Sequence, residues 1–338
     1  FGFHRKKLLS TAVIALIISG VMVGALWHVG NTFFRRHHPL TTFTSHQELV
    51  DFLKLGPWYM PQSLYDKFID LLNGPSGNFG FRTPGGIIPF QAMLEDTNGA
   101  SGVDYSGTNV QVEGVDEADI VKTDGTFLYI VSNNNIYIVR AYPPEQSEVI
   151  SLIEMEQTVT GIFINGGKLV IFETGGAVFR LYESYARSSS TRISIYDITI
   201  PEVPVLECDL TVDGFYYSAR MIGEYVYVIV NEPATLLNDT NVNLPMIEVN
   251  NRTEVIEASE IYYTEFPDSY DFFTTIIGLN ILRSDEAPTI ETYLLGAMSC
   301  IYVSTQNIYL TSPVYVSTIG TNIHRIHIEE GRINYAAN

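Results

Sequence analysis

The chain is predicted to be all-β, built of four-stranded blades set around an axis as a β-propeller, and three features carry that expectation. After residue 110 a turn followed by an aromatic or β-branched hairpin recurs four times. The first two turns, at Gly125 and Gly166, lie 41 residues apart, the length of one blade. The 338 residues include 21 Tyr and 18 Phe but only 17% charged residues, a balance that suits pleated, half-buried surfaces.

Taken in order, the N-terminus comes first. Residues 1–7 form a basic tail, and Leu8 to Trp27 run without a charge. A helix of that length spans roughly 30 Å, the thickness of a bilayer's hydrocarbon core. Arg5, Lys6 and Lys7 precede the span, so the positive-inside rule places the tail in the cytoplasm and everything after Trp27 outside. A cleaved signal peptide, with a small-residue site near Val23-Gly24-Ala25, is the competing reading, but the span is long for one. With no initiating Met, the cytoplasmic tail is expected to be longer than these seven residues.

Residues 28–108 read as a linker. Ser45 with Glu48 three positions on makes a capping box opening a helix over 48–55. A second helix is expected over 61–72, where Leu64, Phe68, Leu71 and Leu72 fall at helical spacing. Gly, Pro, Asn and Ser then dominate to residue 108 without periodicity.

The domain over 109–338 holds the repeats. Asp124-Gly125 precedes strand 127–131, answered by 136–139. Gly166-Gly167 precedes 168–172, answered by 193–197. Gly223 precedes 225–230, answered by 275–279. Thr305-Gln306-Asn307 precedes 308–310, answered by 323–328. Flanking strands complete each unit, an inner one such as 161–164 and an outer, proline-preceded one such as 205–212. Residues 175–190 and 231–273 read as insertions. A β-sandwich also has many short strands, but not this reiterated order.

The run from Thr108 to Gly125, TNVQVEGVDEADIVKTDG, resembles the opening signature of a family of secreted or membrane-anchored β-propeller proteins of archaea and some bacteria, distantly related to WD40 repeats. Ala141-Tyr142-Pro143-Pro144, residues 210–214, Arg220 to Gly223 and Ile323 to Ile328 are similar to later blocks of that family. The resemblance implies a propeller located outside the cell and implies no activity. It also implies a ring of more than four blades, so the missing blades are expected from further sequence or from another subunit.

The charge is uneven. Residues 1–39 hold five basic residues and no acidic one, leaving 14 basic against 38 acidic residues, a net of −24. Nucleic acid and anionic lipid are poor partners for such a domain, whereas cations or a basic protein face suit it. Asp116, Glu117 and Asp119 form its densest acidic run, with Asp124 further on. They read either as a Ca²⁺ site, Ca²⁺ preferring hard oxygen ligands, or as partners of Lys122 or Arg220, with Asp124-Gly125 as turn chemistry. No EF-hand loop is present, and no other cofactor is expected.

His324 and His327 are three apart on a strand, hence on opposite faces, and cannot share a metal. Cys208 and Cys300 are the only cysteines, and sequence does not supply the geometry a bridge requires. Asn238 and Asn251 open two glycosylation triplets in the 231–273 insertion. The sequence has no G-x-S-x-G, H-E-x-x-H, Walker loop or strand-borne GxGxxG.

The expected role is therefore a membrane-anchored, extracellular protein-interaction or scaffold subunit of a cell-envelope assembly rather than an enzyme. The alternative is an envelope hydrolase or metal-dependent oxidoreductase with its site in the propeller channel. An adhesin or sheath protein with head-to-tail self-contacts is a third reading.

Overall fold

A computed structural model describes residues 40–55, 112–181, 184–250, 252–264, 271–296, 298–314 and 320–337. The tail, the apolar span 8–27, the helix expected over 61–72 and the stretch 73–108 lie outside the described residues, as does Asn251. Among the described residues no helix is long and apolar enough to cross a membrane.

The described chain begins as an arm, β1 (Thr41–Thr42) followed by α1 (His46–Leu55). Ser45 caps the helix as expected, its Oγ accepting from Glu48 N at 3.2 Å. The reciprocal half of the box is shifted, because the Glu48 carboxylate takes Thr44 N at 2.7 Å and Thr44 Oγ1 at 2.6 Å instead of Ser45. With Ser45 at the N-cap the helix starts at His46, two residues earlier than the expected 48. Its apolar stripe, Leu49, Val50 and Leu53, is buried.

After β2 (Asp116–Glu117), the first blade is β3 (Val121–Thr123), β4 (Phe127–Ser132), β5 (Asn135–Arg140) and β6 (Glu148–Glu154), paired antiparallel in chain order. The second is β7 (Thr158–Asn165), β8 (Lys168–Leu181), β9 (Ser184–Asp197) and β10 (Val205–Asp213). The expected insertion at 175–190 is a continuation of two strands, since β8 and β9 stay paired from Lys168↔Asp197 to Leu181↔Ser184. The third blade opens with β11 (Phe215–Ile222) and β12 (Tyr225–Pro233).

The large insertion then departs, carrying β13 (Leu236–Asn238), β14 (Asn241–Val242), β15 (Met246–Val249), β16 (Arg252–Val255) and β17 (Ile261–Tyr263). β18 (Asp271–Asn280) and β19 (Thr289–Gly296) complete the third blade. The fourth is β20 (Cys300–Val303), β21 (Asn307–Val314), β22 (Gly320–Glu329) and β23 (Arg332–Ala337). The four repeats read from sequence are thus four separate sheets.

Because side chains alternate between the faces of a strand, each blade offers one apolar face to the next. Tyr129, Ile136 and Ile138 of the first blade meet Ile162, Leu169 and Ile171 of the second. Phe163, Val170 and Phe172 meet Val226, Val228 and Leu279 of the third. Tyr227, Ile276 and Tyr293 meet Ile308, Leu310 and Ile326 of the fourth. These buried side chains contribute roughly 1.5–3 kcal/mol each, which makes the seams the principal source of stability. On the opposite face of the first blade Val121, Val149 and Leu152 are exposed.

The third seam is tight at the backbone. Gly278 on β18 lies against the β22–β23 turn, where an added Cβ would stand 2.1 Å from the Gly331 carbonyl oxygen. Gly223 has φ +60° but open space around it. Gly278→Ala is therefore expected to cost roughly 3 kcal/mol by forcing two backbones apart, and Gly223→Ala only about 1 kcal/mol of left-handed strain. Urea unfolding of both variants checks the ranking, and equal losses would contradict the close packing of the third and fourth blades.

Candidate functional site: the axial belt and the extended rim

The acidic run lies in a belt, residues 112–123, that passes along the first strands of the blades. Val112 and Val115 pack into the seam of the third and fourth blades, and Gly114 approaches Thr305 of the fourth. β2 then pairs antiparallel with β11, Asp116 opposite Met221 and Glu117 opposite Arg220. Asp119 exchanges both backbone hydrogen bonds with Ile162 of β7, at 3.3 and 2.9 Å. From Val121 the belt becomes the first blade's own first strand. One short segment therefore touches all four blades.

The carboxylates serve this belt. The Lys122 side chain is only 4% exposed, lies 5.5 Å from the Phe163 ring centre, and donates to both Asp116 oxygens at 2.8 and 3.0 Å. Glu117 faces Arg220 at 3.2 Å. The Asp119 carboxylate accepts from Ile120 N, and Asp124 takes Thr126 N and Phe127 N in the first turn. Asp116, Glu117 and Asp119 are thus near neighbours in the chain that answer three different donors. Among the described residues no group of three or more His, Cys, Asp or Glu side chains is gathered as a metal ion would need. Gly161 belongs to the same device, since a Cβ there would stand 3.0 Å from the Ala118 Cβ.

His324 is buried in the fourth blade near the Tyr335 ring, while His327 is half-exposed, in keeping with opposite faces. Cys208 is buried and Cys300 exposed, and both are free thiols.

The second feature is an extended rim. β15 and β16 add to β10, making the second blade a six-stranded sheet. β17 runs parallel to β19 and carries β1 on its other edge, so that with β2 the third blade becomes seven-stranded. α1 closes over this corner, with Phe43 stacked on Tyr263 at 3.8 Å and Lys54 Nζ donating to Asp239 O at 2.5 Å. The Asn238 triplet lies at the β13–β14 turn, where Asp239 and Thr240 are exposed. Thr253 of the second triplet lies on the exposed β16.

Sequence reasoning missed the buried carboxylates. Asp213, 8% exposed at the end of β10, accepts from Met246 N of the insertion at 3.0 Å. Burial pushes its acid up to about 7, against the pull of that N–H. Glu173 and Glu291 are likewise raised by burial. The available signal was a single acid inside or ending an apolar strand.

Two tests follow from this geometry. Asp116→Ala leaves Lys122 buried without a counter-charge and is expected to lose roughly 3 kcal/mol, most of it regained when Lys122→Met is added. A double-mutant cycle by chemical denaturation measures the recovery, and none would mean that the pair does not hold the belt. For Asp213, a folded-state acid raised above its unfolded value contributes fully below the ordinary carboxylate range and loses that contribution progressively from there up to about 7. Asp213→Asn, which keeps an acceptor for Met246, should therefore raise stability more at pH 8 than at pH 5, by a difference on the order of 2 kcal/mol. Thermal melts at the two pH values give the comparison, and an equal effect at both would contradict it.

The chain belongs to the beta propeller domain family, whose model matches residues 105–338. It is 26% identical over 208 residues to an uncharacterised protein of Methanocaldococcus jannaschii, an alignment covering 61% of this chain and 29% of that protein. It is also 26% identical over 225 residues to an uncharacterised protein of Archaeoglobus fulgidus, covering 62% and 32% respectively. The chain thus spans about a third of the length of these archaeal relatives. No solved structure matches it.

Proposed function

We propose that this propeller is the interaction module of a cell-envelope or membrane assembly, held outside the cell by the apolar span 8–27 and engaging protein partners through the rim of its second and third blades. The observation that carries this reading is the rim itself. An insertion and an N-terminal arm add two strands to the outer edge of each of two neighbouring blades, β15 and β16 on the second and β17 and β1 on the third. That adds ordered surface at the periphery and none at the axis. A propeller that works by presenting surface gains from such an addition, and loops on a rigid scaffold are where recognition concentrates. At the axis the belt's Asp116 and Glu117 are already committed to Lys122 and Arg220, which fits a structural hub better than a catalytic one. Glycans at Asn238 and Asn251 are compatible with an outward-facing rim.

The protein is purified untagged from its own membranes. The expected result is a stoichiometric protein partner that is released by charge substitutions on the exposed strand β16, such as Glu254→Arg with Val255→Arg, with Tm unchanged. Elution alone, together with turnover of a hydrolase or oxidoreductase substrate, would overturn the reading in favour of a channel enzyme. External protease accessibility in intact cells tests the outward location independently.

A further inference from the structure

Glu173 of β8 is fully buried in the seam between the first two blades, on the face that carries Leu169 and Ile171. Its Oε1 accepts from Gln157 N, in the β6–β7 link, at 2.9 Å. Its Oε2 is buried without a hydrogen-bond donor. The nearest cation is Arg192 on β9, whose Nη1 stands 3.8 Å away. That guanidinium is already held by Asp209 of β10 through two 2.7 Å bonds, and Glu156 of the link approaches Nη1 at 3.5 Å. Three carboxylates thus share one positive charge, and Tyr196 of β9, itself a poor acid here, lies in the same field.

The Gln157 side chain adds a second observation. It lies over Gly175, two residues along the same face of β8, where an added Cβ would stand 2.0 Å from its Oε1. That Oε1 is also buried without a donor. Two buried acceptors along this stretch of β8 lack a hydrogen, and one of them belongs to a group that can carry one.

We propose that Glu173 is a proton-binding site that makes this seam pH-responsive, with the neutral acid locking the β6–β7 link onto the second blade and the ionised form loosening it. The neutral acid keeps Oε1 for Gln157 N and turns its O–H toward the unmatched acceptor. Ionisation leaves a second negative charge beside Asp209 and Glu156 with no cation to spare. Burial raises the acid, outweighing the Gln157 N–H and Arg192. The lock is therefore present in acid and lost as pH rises.

The test uses the whole chain in detergent. Hydrogen exchange of residues 155–160, corrected for the intrinsic pH effect, should lose protection by about tenfold between pH 5.5 and 8.5, while residues 308–310 in the third seam hold theirs. Glu173→Gln, a neutral mimic with an N–H donor, should keep the acid level of protection at both pH values and raise Tm at pH 8.5 by roughly 2–4 °C. A lower Tm at pH 8.5, or a pH response that survives the substitution, would overturn the proposal. Should the variant fail to accumulate, the wild-type exchange alone decides, because an equal pH response in both seams, or none in either, refutes it.

Discussion

The arrangement depends on what happens to the inner edges of the blades. Each blade begins with a strand whose inner backbone groups have no fifth strand to pair with, and an unpaired row of N–H and C=O groups is costly when buried and adhesive when exposed. Residues 112–123 answer this by pairing with β11, then with Ile162 of β7, before becoming β3. Once that path is imposed, several residue choices follow. A small residue is needed at 161 so that Ala118 can pass. A buried Lys122 needs an anion within reach, and Asp116 supplies it from six residues upstream. Arg220, on the strand that receives β2, meets Glu117 directly opposite. An acidic run that looks like a ligand set is, in place, the means by which one segment is fixed to its neighbours.

The seams and the rim follow from a different constraint. A blade in mid-ring is covered on both faces, so its strands cannot alternate cleanly between apolar and polar; β12, at Val226 to Val230, is apolar throughout. What remains available for elaboration is the outer edge. The insertion leaves the third blade between its second and third strands and returns across two outer edges, pairing first with β10 and then with β19. That route ties the second and third blades together at the periphery as the belt does at the axis. The arm joins the same corner through an apolar cluster of Phe43, Leu49, Val50, Ile261 and Leu294. Blades two and three are consequently joined by their apolar seam, by the belt at the inner edge and by the insertion at the outer edge, and the insertion is sequence that a minimal blade does not need.

The propeller was legible because its signals are local and repeated. Turn chemistry at Asp124-Gly125, Gly166-Gly167 and Gly223 is read from adjacent residues, and each hairpin follows where the turn places it. Lys122 and Arg220 were legible as partners of the acidic run because charge alternatives are few near it. Non-local matters were not. Nothing in residues 175–190 says that β8 and β9 remain paired to their ends, because Gly175-Gly176 and a serine run read as a loop until each finds its opposite number. Nothing in residues 246–255 says that they join the second blade and not the third, since edge pairing depends on which edge is vacant. The helix cap moved from Ser45 to Thr44 on the glutamate side for a similar reason. Glu48 is also reached by the Tyr263 hydroxyl from the insertion, at 3.1 Å, and no local rule contains that contact.

The buried carboxylates then follow from arithmetic and geometry together. The chain has 38 acidic residues and 19 basic ones, and some of the basic ones lie before residue 40. The cations inside the propeller are committed early: Lys122 to the belt, Lys168 to Asp197 and Glu207, Arg140 to Glu148 and Glu202, and Arg192 chiefly to Asp209. Where a carboxylate obtains such a partner its acid is strengthened, as at Asp197, held well below the usual range by Lys168 and Thr199. Where burial comes without one, the acid is weakened, as at Asp213 and Glu173. An acidic protein that buries its sheets face to face thus has two kinds of interior carboxylate, and the supply of cations decides which is which. The unpaired kind falls at the junctions of substructures, Asp213 where the insertion meets the second blade and Glu173 where the first blade meets the second. Those are the positions where adding or removing one proton changes how firmly two parts are held, so the scarcity of positive charge also makes the joints of the propeller sensitive to pH.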